Sequence, residues 1–198
     1  MTAGDGSVEP VLVLGLGNSL LGDDDAGLQI LEILRRTFEG TDGIEFVDGG
    51  TQGLALLGLI GGRRFLLVTD AVRLGSAPGS IHVLGRGELE RFRAAGGVGT
   101  GHDTNALELL GAAELLGDLP DDVMVVGIEP ERIRVGIGLS DPVAAAIGPA
   151  AERAAEILRT AWRPLADARG SEVTYRAAAV RERWERREPM CLAVPGRI

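Results

Sequence analysis

Val11-Leu12-Val13-Leu14-Gly15-Leu16-Gly17-Asn18 decides the fold, because an unbroken apolar run that ends in glycines and then meets Asp23-Asp24-Asp25 reads as a buried strand entering a loop. Leu28, Ile30, Leu31 and Leu34 follow at helical spacing, so strand, loop and helix succeed one another. A second unbroken run, Phe65-Leu66-Leu67-Val68-Thr69-Asp70, also ends on a carboxylate and is expected to be a central strand buried on both faces. Ligands of open α/β sheets bind outside the carboxyl ends of the parallel strands, so these carboxylates and the segment Gly101-His102-Asp103 are expected to meet at one edge. That edge is a prospective metal site.

The rest of the chain repeats the alternation. Ile44 to Val47 reads as a short strand ending at Asp48-Gly49-Gly50-Thr51, and Leu54 to Ile60 as a short helix. Pro78-Gly79 marks a turn before an edge strand over Ser80 to Leu84, and Thr104 to Leu116 carries apolar residues of a further helix. Val123 to Ile128 is the last strand, and Asp141-Pro142 is a cap with a first-turn proline opening a helix to about Leu158. Strands alternating with helices imply an α/β three-layer sandwich, a twisted, mostly parallel sheet flanked by helices.

Composition excludes several classes. A chain of 198 residues, 45% hydrophobic, can bury one substantial core, so one domain is expected. No stretch approaches the roughly 18 uninterrupted apolar residues of a membrane helix, and Met1 to Pro10 lacks the regions of a signal peptide. No membrane insertion and a cytoplasmic location are expected. The net charge is −9, and every basic residue is arginine, a poor balance for the phosphate-seeking surface that nucleic-acid binding requires. Cys191 is the single cysteine, which excludes an internal disulfide and a thiolate-rich zinc site. Oxygen and imidazole remain as metal ligands.

Familiar catalytic machinery fails on detail. Gly15-Leu16-Gly17 invites a dinucleotide reading, but Leu20 stands where the third glycine belongs and Asp23, Asp24 and Asp25 would repel a pyrophosphate. The two histidines, His82 and His102, lie too far apart for a His-Glu-x-x-His helix, and no Gly-x-Ser-x-Gly elbow occurs. Bland readings are also available: Asp23 and Asp25 as helix-start residues, Asp48 as the holder of the Gly49-Gly50 turn, His82 as structural. Asp70 resists such a reading, since a buried carboxylate requires a partner or a metal.

The ordered segments Gly17-Asn18-Ser19-Leu20-Leu21-Gly22-Asp23-Asp24, Asp48-Gly49-Gly50-Thr51-Gln52-Gly53, Val68-Thr69-Asp70-Ala71-Val72, Pro78-Gly79-Ser80, His102 and Gly127-Ile128-Glu129-Pro130 resemble those of the NiFe-hydrogenase maturation endopeptidases. The match spans about residues 11 to 160. It implies an aspartyl-type protease that acts once on the hydrogenase large-subunit precursor and removes a short C-terminal extension after nickel insertion. It also implies Asp24, Asp70 and His102 as the metal-contacting and catalytic set; Asp23 and Asp48 are the candidates for a base or orienting group, and the sequence does not choose between them. Nickel is expected to be presented by the substrate, although a set of two carboxylates and an imidazole accepts other divalent metals. The other reading is a non-proteolytic nickel sensor or assembly chaperone.

Residues 1–10 are read as an N-terminal extension, 11–162 as the protease domain, and 163–198 as a charged helix and tail. Residues 169–188 hold six arginines and four glutamates, while Val173, Ala177, Val180 and Trp184 fall on one face of an amphipathic helix. Residues 190–198, Met-Cys-Leu-Ala-Val-Pro-Gly-Arg-Ile, resemble the start of the small hydrogenase-assembly chaperone, which is thereby implied as a further partner.

Overall fold

Apolar side chains on successive residues of a strand point to opposite faces, so a strand apolar throughout needs cover on both sides. The computed structural model, which describes residues 10–94 and 105–167, meets this need with three layers. Its strands are β1 (Val11–Leu16), β2 (Ile44–Gly50), β3 (Phe65–Ala71), β4 (Ile81–Gly85) and β5 (Asp122–Ile128). They form one sheet in the order β2-β1-β3-β5-β4, parallel except for β4, which runs antiparallel to β5. β3 is the central strand and β4 an edge, as the sequence implies.

The helices are α1 (Ala26–Thr37), α2 (Leu57–Ile60), α3 (Arg86–Ala94), α4 (Asn105–Leu116) and α5 (Asp141–Asp167). On one face, Val11, Val13, Phe65 and Leu67 pack with Ile30 and Leu34 of α1 and with Val143, Ala150 and Leu158 of α5. On the other, Leu12, Leu14, Leu66 and Val68 pack with Ile60 of α2 and Leu109 of α4. Two elements depart from the sequence reading. α3 has no counterpart there, because its sequence is mostly charged; Leu89 is the buried residue among those of the helix whose burial is described. α5 continues beyond Leu158 and past residue 162, since Ala161 remains in the core and the Trp162 indole N–H donates to the Asp42 carbonyl at 3.0 Å. The amphipathic segment 169–188 and the string 190–198 lie outside the described residues, as does His102.

The chain leaves β1 through α1 on one face and leaves β2 through α2 on the other, then returns beside β1 as β3. The carboxyl ends of β1 and β3 therefore flank a topological switch point, where an open sheet splays and leaves a crevice. Gly27 makes this junction tight. A Cβ there would lie 2.3 Å from the Leu16 carbonyl oxygen, 2.4 Å from that of Thr69 and 2.8 Å from the Asp70 Cα. The Thr69 hydroxyl donates to the Gly27 carbonyl at 2.8 Å and locks the approach. Gly27→Ala is therefore expected to destabilise the domain by about 2–3 kcal/mol through overpacking against backbone that cannot yield. Thermal denaturation should show a Tm lowered by roughly 5–10 °C.

Candidate active site

The loop after β1 turns sharply at Gly17, whose φ of +135° and 1.9 Å clearance from a Cβ to the Asp24 carbonyl oxygen admit only glycine. Asp23–Asp25 form a short 3₁₀ turn that delivers the chain into α1. Asp24 is buried at this turn. Asp70, at the end of β3, is buried as well, and its two oxygens accept the Ala71 N–H at 2.8 Å and the Ala106 N–H at 3.1 Å. Ala106 belongs to the first turn of α4, so this carboxylate also caps the helix that begins just after the His102 segment.

Burial pushes the Asp70 carboxyl up to about 7, and the negative charge of Asp24 adds to the effect, against the hydrogen bonds from Ala106 and Ala71. A buried carboxylate that a second carboxylate pushes further toward its protonated form is a place that a cation stabilises by offsetting the negative charge. The donor chemistry fits a divalent metal with oxygen and nitrogen ligands. Among the described residues no group of three His, Cys, Asp or Glu is placed to hold a metal ion; His102, the third ligand that the sequence resemblance implies, lies outside them.

The other two sequence candidates have different surroundings. Asp23 is fully buried, yet it does not cap α1: its carboxylate accepts the N–H groups of Glu131 and Arg132 at 2.9 Å each, the Ser140 N–H at 2.6 Å and the Ser140 hydroxyl at 2.9 Å. Burial alone would raise its pKa, but the hydrogen bonds from Ser140, Arg132 and Glu131 prevail and hold it below the ordinary 3.8. Asp23 thus ties residues 131–140 to the loop that carries Asp24. Asp48 is exposed at the end of β2 and accepts the Gly50 N–H at 3.0 Å, so it holds its own turn.

A further carboxylate stands out only in the structure. Glu129, just past β5, accepts the N–H groups of Leu74 and Gly75 at 2.9 and 3.1 Å and lies 3.0 Å from Nε2 of His82. Its own backbone binds Ser80 and Gly79. It therefore fixes the loop that leaves β3 directly after Asp70, and His82 has the structural part its apolar strand implies. Glu129→Ala strands two amide donors and a buried imidazole, and is expected to cost about 2–3 kcal/mol in thermal or denaturant unfolding. The Gly-Ile-Glu-Pro string marks Glu129 in the sequence, but its partners are up to 55 residues away.

These features define an open-sheet α/β protein with a carboxylate site at the switch point. A model of the hydrogenase maturation protease family matches residues 28–157. The chain is 35% identical over 150 residues to the hydrogenase 2 maturation protease of Escherichia coli (strain K12), spanning 75% of this chain and 90% of that protein. It is 34% identical over 149 residues to the hydrogenase expression/formation protein HoxM of Azotobacter vinelandii, covering 75% and 72% of the two chains. The solved structure of the hydrogenase maturating endopeptidase HybD from E. coli superposes with a TM-score of 0.68 at 33% identity, over 76% of this chain and 93% of that one. The chain belongs to the hydrogenase maturation protease family, and is a peptidase. Among the described residues no helix is long and apolar enough to cross a membrane.

Proposed function

We propose that this peptidase removes the C-terminal extension of a NiFe-hydrogenase large-subunit precursor after nickel insertion, and that Asp24, Asp70 and His102 engage the nickel that the precursor carries. The observation that supports this reading is the buried pair Asp24 and Asp70 at the switch point, where burial, with repulsion from Asp24 added to it, raises Asp70 to about 7. A nickel-bearing substrate relieves that repulsion, whereas a nickel-free one leaves it in place, so the site distinguishes the two. His102 stands four residues before Ala106, whose N–H donates to Asp70.

The roles of the residues follow from their surroundings. Asp70, held by two backbone donors, presents its remaining lone pairs without freedom to swing away. Asp24 is delivered by a turn whose geometry Gly17 and the Asp23 tether fix. The nickel, as part of the substrate, supplies Lewis acidity next to the bond to be cut. Asp48 is the carboxylate with access to solvent and is assigned the proton transfer; Asp23 is engaged by four donors. Other divalent ions fit the same donors. The cytoplasm is the proposed place of the reaction, and the resemblance of residues 190–198 to the start of an assembly chaperone supports the same assembly context. A non-proteolytic sensor would not require membership of a protease family. The test is a time course of extension removal with nickel-loaded and nickel-free precursor: cleavage confined to the loaded form supports the reading, and equal cleavage of both removes nickel from it.

A further inference from the structure

Leu20, Val135 and Ile137 are large apolar residues left 61%, 87% and 89% exposed. Single exposed apolar side chains are ordinary, but these three lie on two chain segments that pair with each other. The Gly136 N–H donates to the Leu20 carbonyl at 2.9 Å and the Gly22 N–H to the Gly136 carbonyl at 2.8 Å, so Val135 and Ile137 flank the residue that pairs with the Leu20–Gly22 segment. The Arg134 N–H adds a third link, to the Leu21 carbonyl at 3.3 Å.

The strip is also held rigidly. Residues 131–140 are mostly exposed and belong to no helix or strand. Leu139 packs against the core, backbone bonds tie Arg134 and Gly136 to the Leu20–Gly22 segment, and a fully buried carboxylate, Asp23, uses both oxygens to hold the two ends of the segment. A preorganised apolar surface binds a partner without first paying to order itself. Gly22, which pairs with Gly136, is two residues from Asp24, so the strip and the site share one loop. Leu115 and Leu116, also exposed, lie at the far end of α4 from the turn that meets Asp70.

We infer that Leu20, Val135 and Ile137 form the docking strip for the precursor, receiving an apolar stretch of it while the end to be processed reaches Asp24 and Asp70. This rests on the processing function proposed above. The choice of occupant follows from position: a molecule seated on the loop that carries Asp24 lies against the site, and the molecule that must be there during turnover is the one being cut. Asp24, on the same loop as Leu20 and Gly22, matches the metal-bearing end of such a partner in charge.

The test compares the wild-type chain, the triple variant Leu20→Ser/Val135→Ser/Ile137→Ser and the control Leu115→Ser/Leu116→Ser, using nickel-loaded precursor at a range of concentrations. The triple variant is expected to lose roughly ten- to a hundredfold in kcat/KM, carried by KM, with kcat within about twofold of wild type, while the control stays unchanged. The residues are exposed, so the Tm of each variant should match wild type. An unchanged KM, or a lowered kcat at unchanged KM, overturns the inference. So does a wild-type dimer that the triple variant converts to monomer by sedimentation, which would make a second copy the occupant. If the wild type cleaves nothing, the processing reading has failed; if wild type and triple variant cleave alike, the docking strip alone has failed.

Discussion

Asp70→Asn is expected to reduce removal of the extension by about a thousandfold or more while leaving the domain folded, because it takes away the anionic group proposed to engage the substrate's nickel and keeps the volume. The same substitution should alter the response to pH. The folded chain holds Asp70 at about 7 and the unfolded chain near 3.8, so between these values the folded state binds the extra proton. Its stability therefore declines as the pH rises through that window, and the buried charge is fully opposed above it. Asn does not titrate. Denaturant unfolding of the metal-free protein at a series of pH values should show that decline in the wild type and a flatter profile in Asp70→Asn. Asp24→Asn, which removes the neighbouring charge, should shift the wild-type decline to lower pH, since part of Asp70's elevation comes from Asp24.

Asp23→Ala is expected to produce the largest loss of stability, about 3–5 kcal/mol, because four donors lose one buried acceptor together. The corresponding fall in Tm is roughly 10 °C or more. Asp23→Asn should recover only part of this, since its amide turns donors toward N–H groups that need an acceptor. The sign of the pH effect is opposite to that of Asp70. A carboxylate held below its ordinary 3.8 adds stability above that value and loses it as the pH falls through the lower, folded-state pKa, so Asp23→Ala should remove part of the acid sensitivity below about pH 4. Processing should fall too, because the freed 131–140 segment no longer holds the Asp24 loop.

The strands were legible because β1, β3 and β5 are apolar on both faces, a pattern that only a covered sheet satisfies. That Asp70 and the Asp23–Asp25 loop stand at the carboxyl ends of β3 and β1 was legible for the same reason, whereas the choice of Asp24 from the three aspartates came from the resemblance alone. α3 was not legible, because five of its nine residues, Arg86, Glu88, Glu90, Arg91 and Arg93, are charged, so periodicity gives little sign of it. The task of Asp23 was hidden for a different reason. Three consecutive aspartates before a helix suggest a dipole effect, and nothing local separates Asp23 from Asp25, whose side chain accepts the Gln29 amide N–H one turn on at 2.7 Å. The partners of Asp23 are 108 to 117 residues away, and only the fold brings them together. Glu129 is a similar case, its loop partners lying on the far side of β4 and α4 in the sequence.

The most direct test of the central claim is the intact mass of a nickel-loaded hydrogenase large-subunit precursor after incubation with the wild-type chain, Asp24→Ala or His102→Ala. The expected result is loss of one discrete C-terminal peptide with the wild type and an unchanged mass with either variant, each folded by its thermal transition. Removal of the same peptide by both variants at the wild-type rate would contradict the assignment of the site.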